Sequence, residues 1–287
     1  MALPFAALLP FAGLLQPPPG LEVDFAAPPG AAALVPAGSV SWRVFANPLT
    51  LFIGGVAAVI LELAEPSVRA GVWGHSSFRS DPVMRLRRTG AAAMITVYAP
   101  QAEAEAMIAR INALHERVRG TLPDGRRYHA RDPRLLDWVQ ATATFGFSTA
   151  YHAYAAPLDQ RQRSAVFAEG RAAADLFGAT GAPRSLAEWE ALLARTLVTL
   201  EPSPVLDAFL SIMRAAPILP APLRPVQRLL VRAGVSTVPP AVTARLRLEG
   251  AGLRPGEAAV VGALARLAER LPLPSAPPAR ARRRMLS

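Results

Sequence analysis

Pro100–Gly120, PQAEAEAMIARINALHERVRG, is the stretch from which the fold is read. Ala104, Met107, Ile108, Ile111, His115 and Val118 recur at helical spacing, while Glu103, Glu105, Arg110, Asn112, Glu116 and Arg117 fill the other side. The spacing predicts an amphipathic helix with one face turned to a core and its end at Gly120. His115 stands on the apolar face. A buried imidazole needs a partner for each ring nitrogen or a metal to hold it. On the helix alone both readings are open, and a core histidine bonded to a carbonyl is the commoner outcome.

Outward from this segment the signals are helical from about residue 40 to residue 271. Leu49–Leu63, LTLFIGGVAAVILEL, is the most hydrophobic run, bounded by Asn47-Pro48 and by Glu62, Glu65 and Pro66. It falls short of the roughly 20 residues that span a bilayer and reads as a fully buried helix. Gly54, Gly55, Ala57 and Ala58 give it a small-residue face for another helix or a flat cofactor. Asp81-Pro82 and Asp132-Pro133 each set an N-cap before a first-turn proline. Asp159, Ser185 with Glu188, and Ser203-Pro204 open three more helices. Thr121–Arg131, with Pro123-Asp124-Gly125, is a polar turn region, and no alternating run argues for a sheet. The expected class is all-α. One helical domain, residues 41–271, follows a Pro/Gly/Ala-rich arm (1–40) and precedes a basic tail (272–287). In that tail Arg280, Arg282, Arg283 and Arg284 read as a solvated end.

Composition excludes several chemistries. The chain has no cysteine, which removes disulfides, thiolate metal sites, iron–sulfur clusters and thiol catalysis. Its net charge of +10 is carried wholly by arginine, without the clustering on one element that marks a nucleic-acid module, so no nucleic-acid partner is expected. Hydrophobic residues make up 52% and charged ones 18%, which leaves room for a bound apolar ligand or for peripheral membrane association. The apolar Met1–Leu15 lacks the basic start of a secretory signal, and a cytoplasmic location is expected. Phosphate loops, dinucleotide fingerprints, nucleophile elbows and zincin histidine pairs are all missing. Of the remaining histidines, His129 reads as solvated among Arg126, Arg127 and Arg131. His152 reads as hydrogen-bonded or at the surface, and His75 as a local bonding residue in a turn.

Five blocks occur in a fixed order along the chain: AxPxVxxGVxxHSxF (Ala64–Phe78), DPxxRLRRT (Asp81–Thr89), HxxVxG (His115–Gly120), DGxxY (Asp124–Tyr128) and DPxLLxWV (Asp132–Val139). Together they resemble the bacterial family that joins the latex-clearing rubber oxygenases with the MpaB-type oxygenases, over roughly residues 40 to 270. The resemblance implies a globin-like, all-helical fold that holds haem b, with His115 as the proximal iron ligand. It also implies a cluster of Arg85, Arg88 and Thr89 at the haem, where arginines can pair with propionates. The chain departs from that pattern at Gln140, where many relatives carry histidine after Trp-Val, and at Glu65, where many have Ala-His-Pro. A carboxylate near the distal side acts as base in those enzymes; Glu62 and Glu65 are the candidates here.

The expected function is that of a haem-b oxygenase. His115 is the metal ligand, Arg85, Arg88 and Thr89 bind the cofactor, and Arg85, Thr89 and Glu65 serve catalysis. O₂ would add across a double bond of an isoprenoid or lipid-like substrate walled by Phe52, Ile53, Phe145 and Phe147. Two alternatives stand beside it: a non-catalytic haem or lipid carrier, and a cofactor-free helical adaptor at a membrane surface.

Overall fold

A computed structural model describes residues 17–271 and 273–286; the Met1–Leu15 segment lies outside them. An irregular stretch leads to α1 (Val40–Val44), α2 (Pro48–Ala64), α3 (Pro66–His75), α4 (Pro82–Tyr98) and α5 (Gln101–His115). After a small hairpin come α6 (Pro133–Tyr154), α7 (Gln160–Glu169), α8 (Arg171–Phe177), α9 (Leu186–Thr196) and α10 (Pro204–Ala215). The chain closes with α11 (Arg224–Thr237), α12 (Pro240–Arg245), α13 (Glu257–Glu269) and α14 (Pro277–Leu286). The architecture is all-α.

Side-chain caps set the helix starts. Asn47 accepts from the amides of Leu49 and Thr50, Asp81 from Met84, Asp132 from Arg134, Asp159 from Gln162, Ser185 from Glu188 and Ser203 from Leu206. Each satisfies a first-turn N–H that the helix itself leaves without a partner. The ends were harder to foresee. α5 stops at His115 rather than Gly120, and Arg119–Thr121 pairs antiparallel with Arg127–His129 in place of the plain turn expected. The tight turn is built by Gly125 at φ +86° beside Asp124, whose carboxylate takes the Arg126 amide. At Gly120 a Cβ would fall 2.6 Å from the Tyr128 hydroxyl, so a larger residue there would push that ring aside.

The small-residue face of α2 is filled by helices. At Gly54 a Cβ would stand 2.7 Å from the carbonyl oxygen of Gly146 in α6, and at Gly234 of α11 one would stand 2.6 Å from Val56. Removing Cβ at these crossings lets backbones touch, and α2 becomes the axis on which α6 and α11 pack. Trp138 of α6 donates its indole N–H to the Leu61 carbonyl at 3.1 Å and stacks on Trp189, which also stacks on Phe145. Phe52, Ile53 and Phe145 are therefore core residues rather than the substrate wall expected of them. Phe147, the fourth, lines a cavity.

The tail also departs from expectation. α14 packs on α4, and Arg284 is fully buried, donating to the carbonyls of Phe25 (2.7 Å), Ala31 (2.9 Å) and Tyr98 (2.8 Å). An irregular, proline-rich arm has carbonyls that no helix or sheet satisfies, and a guanidinium supplies a fork of donors for them. Among the described residues no single helix is long and apolar enough to cross a membrane. α2 and α3 pass that test only as a pair bent by 111°.

Gly54→Ala should cost about 1–3 kcal/mol, because neither backbone at the crossing can retreat without moving a helix. Urea unfolding of the variant beside the parent checks it; an unchanged midpoint would show that the crossing has slack.

Candidate functional site

Three residues of α2 escape full burial: Gly55, Val59 and Glu62. They fall on one stripe of the helix, so this otherwise enclosed rod opens along a single line. Facing that line is the α6 stripe of Gln140, Ala143, Thr144 and Phe147, and the Phe147 ring lies against Gly55. The third wall is α4. It packs chiefly on α5, α14 and α1, and it turns Arg85, Thr89, Ala92 and Thr96 to one side. We refer to the side bounded by these three stripes as the groove; Glu62 and Arg85 lie toward one end of it and Phe147 toward the other.

At the charged end three ionisable groups converge. Glu62 is crowded by protein while keeping an opening to the groove, and burial raises its carboxyl pKa to about 7 against the smaller opposing pull of Arg85. Arg85 is held below its usual range by burial first, with Glu62 opposing and Arg88 adding to the shift. His115, the last residue of α5, is lowered by burial and then by Arg131 and Arg85, which favours the neutral ring. Its Nδ1 is buried and has no hydrogen-bond partner among the described residues.

The other histidines are engaged. His75 bonds the Tyr128 hydroxyl at 3.2 Å, and His152 accepts from the Leu158 amide through Nδ1 at 2.9 Å. His129 accepts from the Arg131 amide through Nδ1, which leaves Nε2–H to donate to the Glu116 carbonyl at 3.2 Å. Among the described residues no three His, Asp or Glu side chains form a ligand set, so an ion held by side chains alone has no cage there. An iron already held by a porphyrin needs only one imidazole from the protein, and His115 has the open nitrogen.

The remaining candidates divide. Arg88 and Thr89 are exposed, and Thr89 donates back to the Arg85 carbonyl at 2.9 Å. Glu65 is buried and committed elsewhere: one carboxylate oxygen caps α3 through the Val68 amide at 2.8 Å, and the other meets Arg134 at 3.4 Å. Two contributors escaped sequence reasoning. Arg131 bonds Glu116 and the Phe177 carbonyl while biasing His115, yet in the sequence it reads only as loop charge. Gln140 stands out in the sequence only as a departure from a pattern.

Toward the Phe147 end lies a cavity of about 160 Å³ between α4, α6, α7 and α8. Most of its lining is apolar, Val97, Ala143, Phe147, Val166 and Phe177 among it; Ser41, Thr96, Gln140 and Thr144 are its polar members.

Glu62 gains protons on folding, so the folded state binds more protons than the unfolded one between pH 4.5 and about 7. This group's contribution is full below the lower value and is lost as pH rises through the upper one. Glu62→Gln should flatten that part of the stability–pH curve in urea titrations. Infrared spectroscopy of the parent should show a protonated carboxyl at pH 6, and Arg85→Ala should move its titration higher. A carboxyl fully ionised at pH 6 would overturn this electrostatic picture.

Compared with known protein families, residues 42–270 match one described as ER-bound oxygenase mpaB/B'/rubber oxygenase, catalytic domain. No curated protein and no solved structure matches the chain. With most of its length covered, and with an all-helical architecture, the chain belongs to the MpaB/rubber-oxygenase catalytic-domain family.

Proposed function

We propose that the protein is a haem-b-dependent oxygenase of apolar, unsaturated substrates, with His115 as its iron ligand. The observation that carries the reading is the buried, unpartnered Nδ1 of His115 at the charged end of the groove. A neutral imidazole is the form that binds a metal, and the lowered pKa of His115 favours it. Arg85 provides a cation at the same end for a propionate, with Arg88 one turn further along α4. Bound there, haem b would supply the iron that activates O₂ for insertion across a carbon–carbon double bond.

The chain's own residues would do the rest. Converting C=C and O₂ into two carbonyls consumes no net proton, so a base that assists must take a proton and return it. Glu62 suits that task, because a carboxylate with a pKa of about 7 both accepts and releases protons near neutrality. Glu65, with both oxygens occupied, serves as a cap between α2 and α3. The apolar walls of the groove would exclude water and align an alkene. A lipid-like substrate accords with the family's oxygenase character and with the oily lining.

His115→Ala should abolish stoichiometric haem binding, while His129→Ala should leave it nearly intact, as read by the Soret band and a pyridine haemochrome assay. Glu62→Gln should keep the haem and lose at least about tenfold in turnover of an isoprenoid alkene, in line with the loss of a general base. Haem retained equally in both histidine variants would remove the ligand assignment. A colourless parent protein under haem supply would remove the oxygenase reading itself.

A further inference from the structure

We infer that the cavity at the apolar end of the groove is a binding site for a short branched hydrocarbon bearing one hydroxyl or carbonyl oxygen, and that Gln140 selects for that oxygen. At about 160 Å³ the cavity is close to the size that holds benzene, too small for a porphyrin and well sized for a single branched unit. Most of its lining is apolar, the composition of a pocket whose few polar groups fix orientation.

The polar members are not equivalent. Thr96 donates to the Ala92 carbonyl at 2.8 Å and Thr144 to the Gln140 carbonyl at 3.0 Å, so both hydroxyl protons are spent on their own helices. Gln140 lines the cavity, is only partly buried, and its side-chain amide makes no hydrogen bond to the protein among the described residues. It rests beside Gly170, where even an added Cβ would stand 3.7 Å from Nε2. An amide carries two donors and an acceptor, and leaving them unmet against an apolar ligand costs free energy that an oxygen function would recover. A site built this way rejects the hydrocarbon more strongly than it rewards the alcohol.

The cavity and the charged cluster share one face of α4: Arg85 and Thr89 lie toward one end, Ala92 and Thr96 toward the other. A ligand seated against Gln140 would therefore extend toward Glu62 and His115. That the ligand is one end of a substrate rests on the proposed oxygenase function; that the cavity binds it does not.

The test uses the full chain and two probes, prenol and the hydrocarbon in which methyl replaces its hydroxyl, with affinities from ligand-observed NMR or calorimetry. The parent should prefer prenol by about tenfold, the worth of one good hydrogen bond. Gln140→Met, which keeps length and removes the amide, should erase or reverse that preference with an unchanged melting transition. Ala143→Val, which narrows the cavity and keeps the amide, should weaken both probes alike and provides the second reading should the methionine variant fail to fold. Binding of neither probe by the parent, or a preference unchanged in Gln140→Met, would overturn the inference. Because binding is read without haem, a colourless protein that still prefers prenol would sink the oxygenase reading alone, and a haem-loaded protein blind to both probes would sink this one alone.

Discussion

The contact between Gly54 and Gly146 sets the geometry on which the rest depends. Backbone meets backbone there, closer than any side chain would allow, and α2 and α6 are drawn together over their length. Trp138 locks the pair at one end through the Leu61 carbonyl, and its stack with Trp189 carries the packing outward to α9. The rest of α2 is enclosed by its neighbours, apart from one line of partly exposed residues. That line is Gly55, Val59 and Glu62.

Much of this was legible in the sequence, for local reasons. Aspartate, asparagine and serine ahead of proline or an apolar run are start signals that act within one turn, and the helices begin where they stand. The buried character of α2 followed from its length and its lack of charge. The hairpin was missed because its strands are three residues each, too short to show alternation, although Asp124-Gly125 marked the turn between them. The burial of Arg284 was missed because its partners are backbone carbonyls far away in the chain, which leave no trace in side-chain pattern.

At the site, His115 was legible because a histidine on an apolar stripe is conspicuous. The roles of Glu62 and Glu65 were not separable by sequence, since the two lie three residues apart on either side of a helix end. Only coordinates show that one caps α3 and the other faces the groove. Phe52, Ile53, Phe145 and Phe147 were equally hydrophobic as letters, and helix phase alone divides the three in the core from the one at the cavity. Gln140 posed the opposite problem: a polar residue within a helix is unremarkable until the space beside it is seen.

The fastening of α4 has a consequence for how the groove keeps its width. That wall packs chiefly on elements behind it, on α5, on α14 and, through the Tyr98 carbonyl, on the Arg284 guanidinium 186 residues away in sequence. The closing helix and the described proline-rich segment around Phe25 and Ala31 act as a buckle drawn behind that wall. The aperture available to a ligand is thereby governed in large part by segments remote from it in sequence, and drift in the arm or in the closing helix becomes a means of resizing the groove.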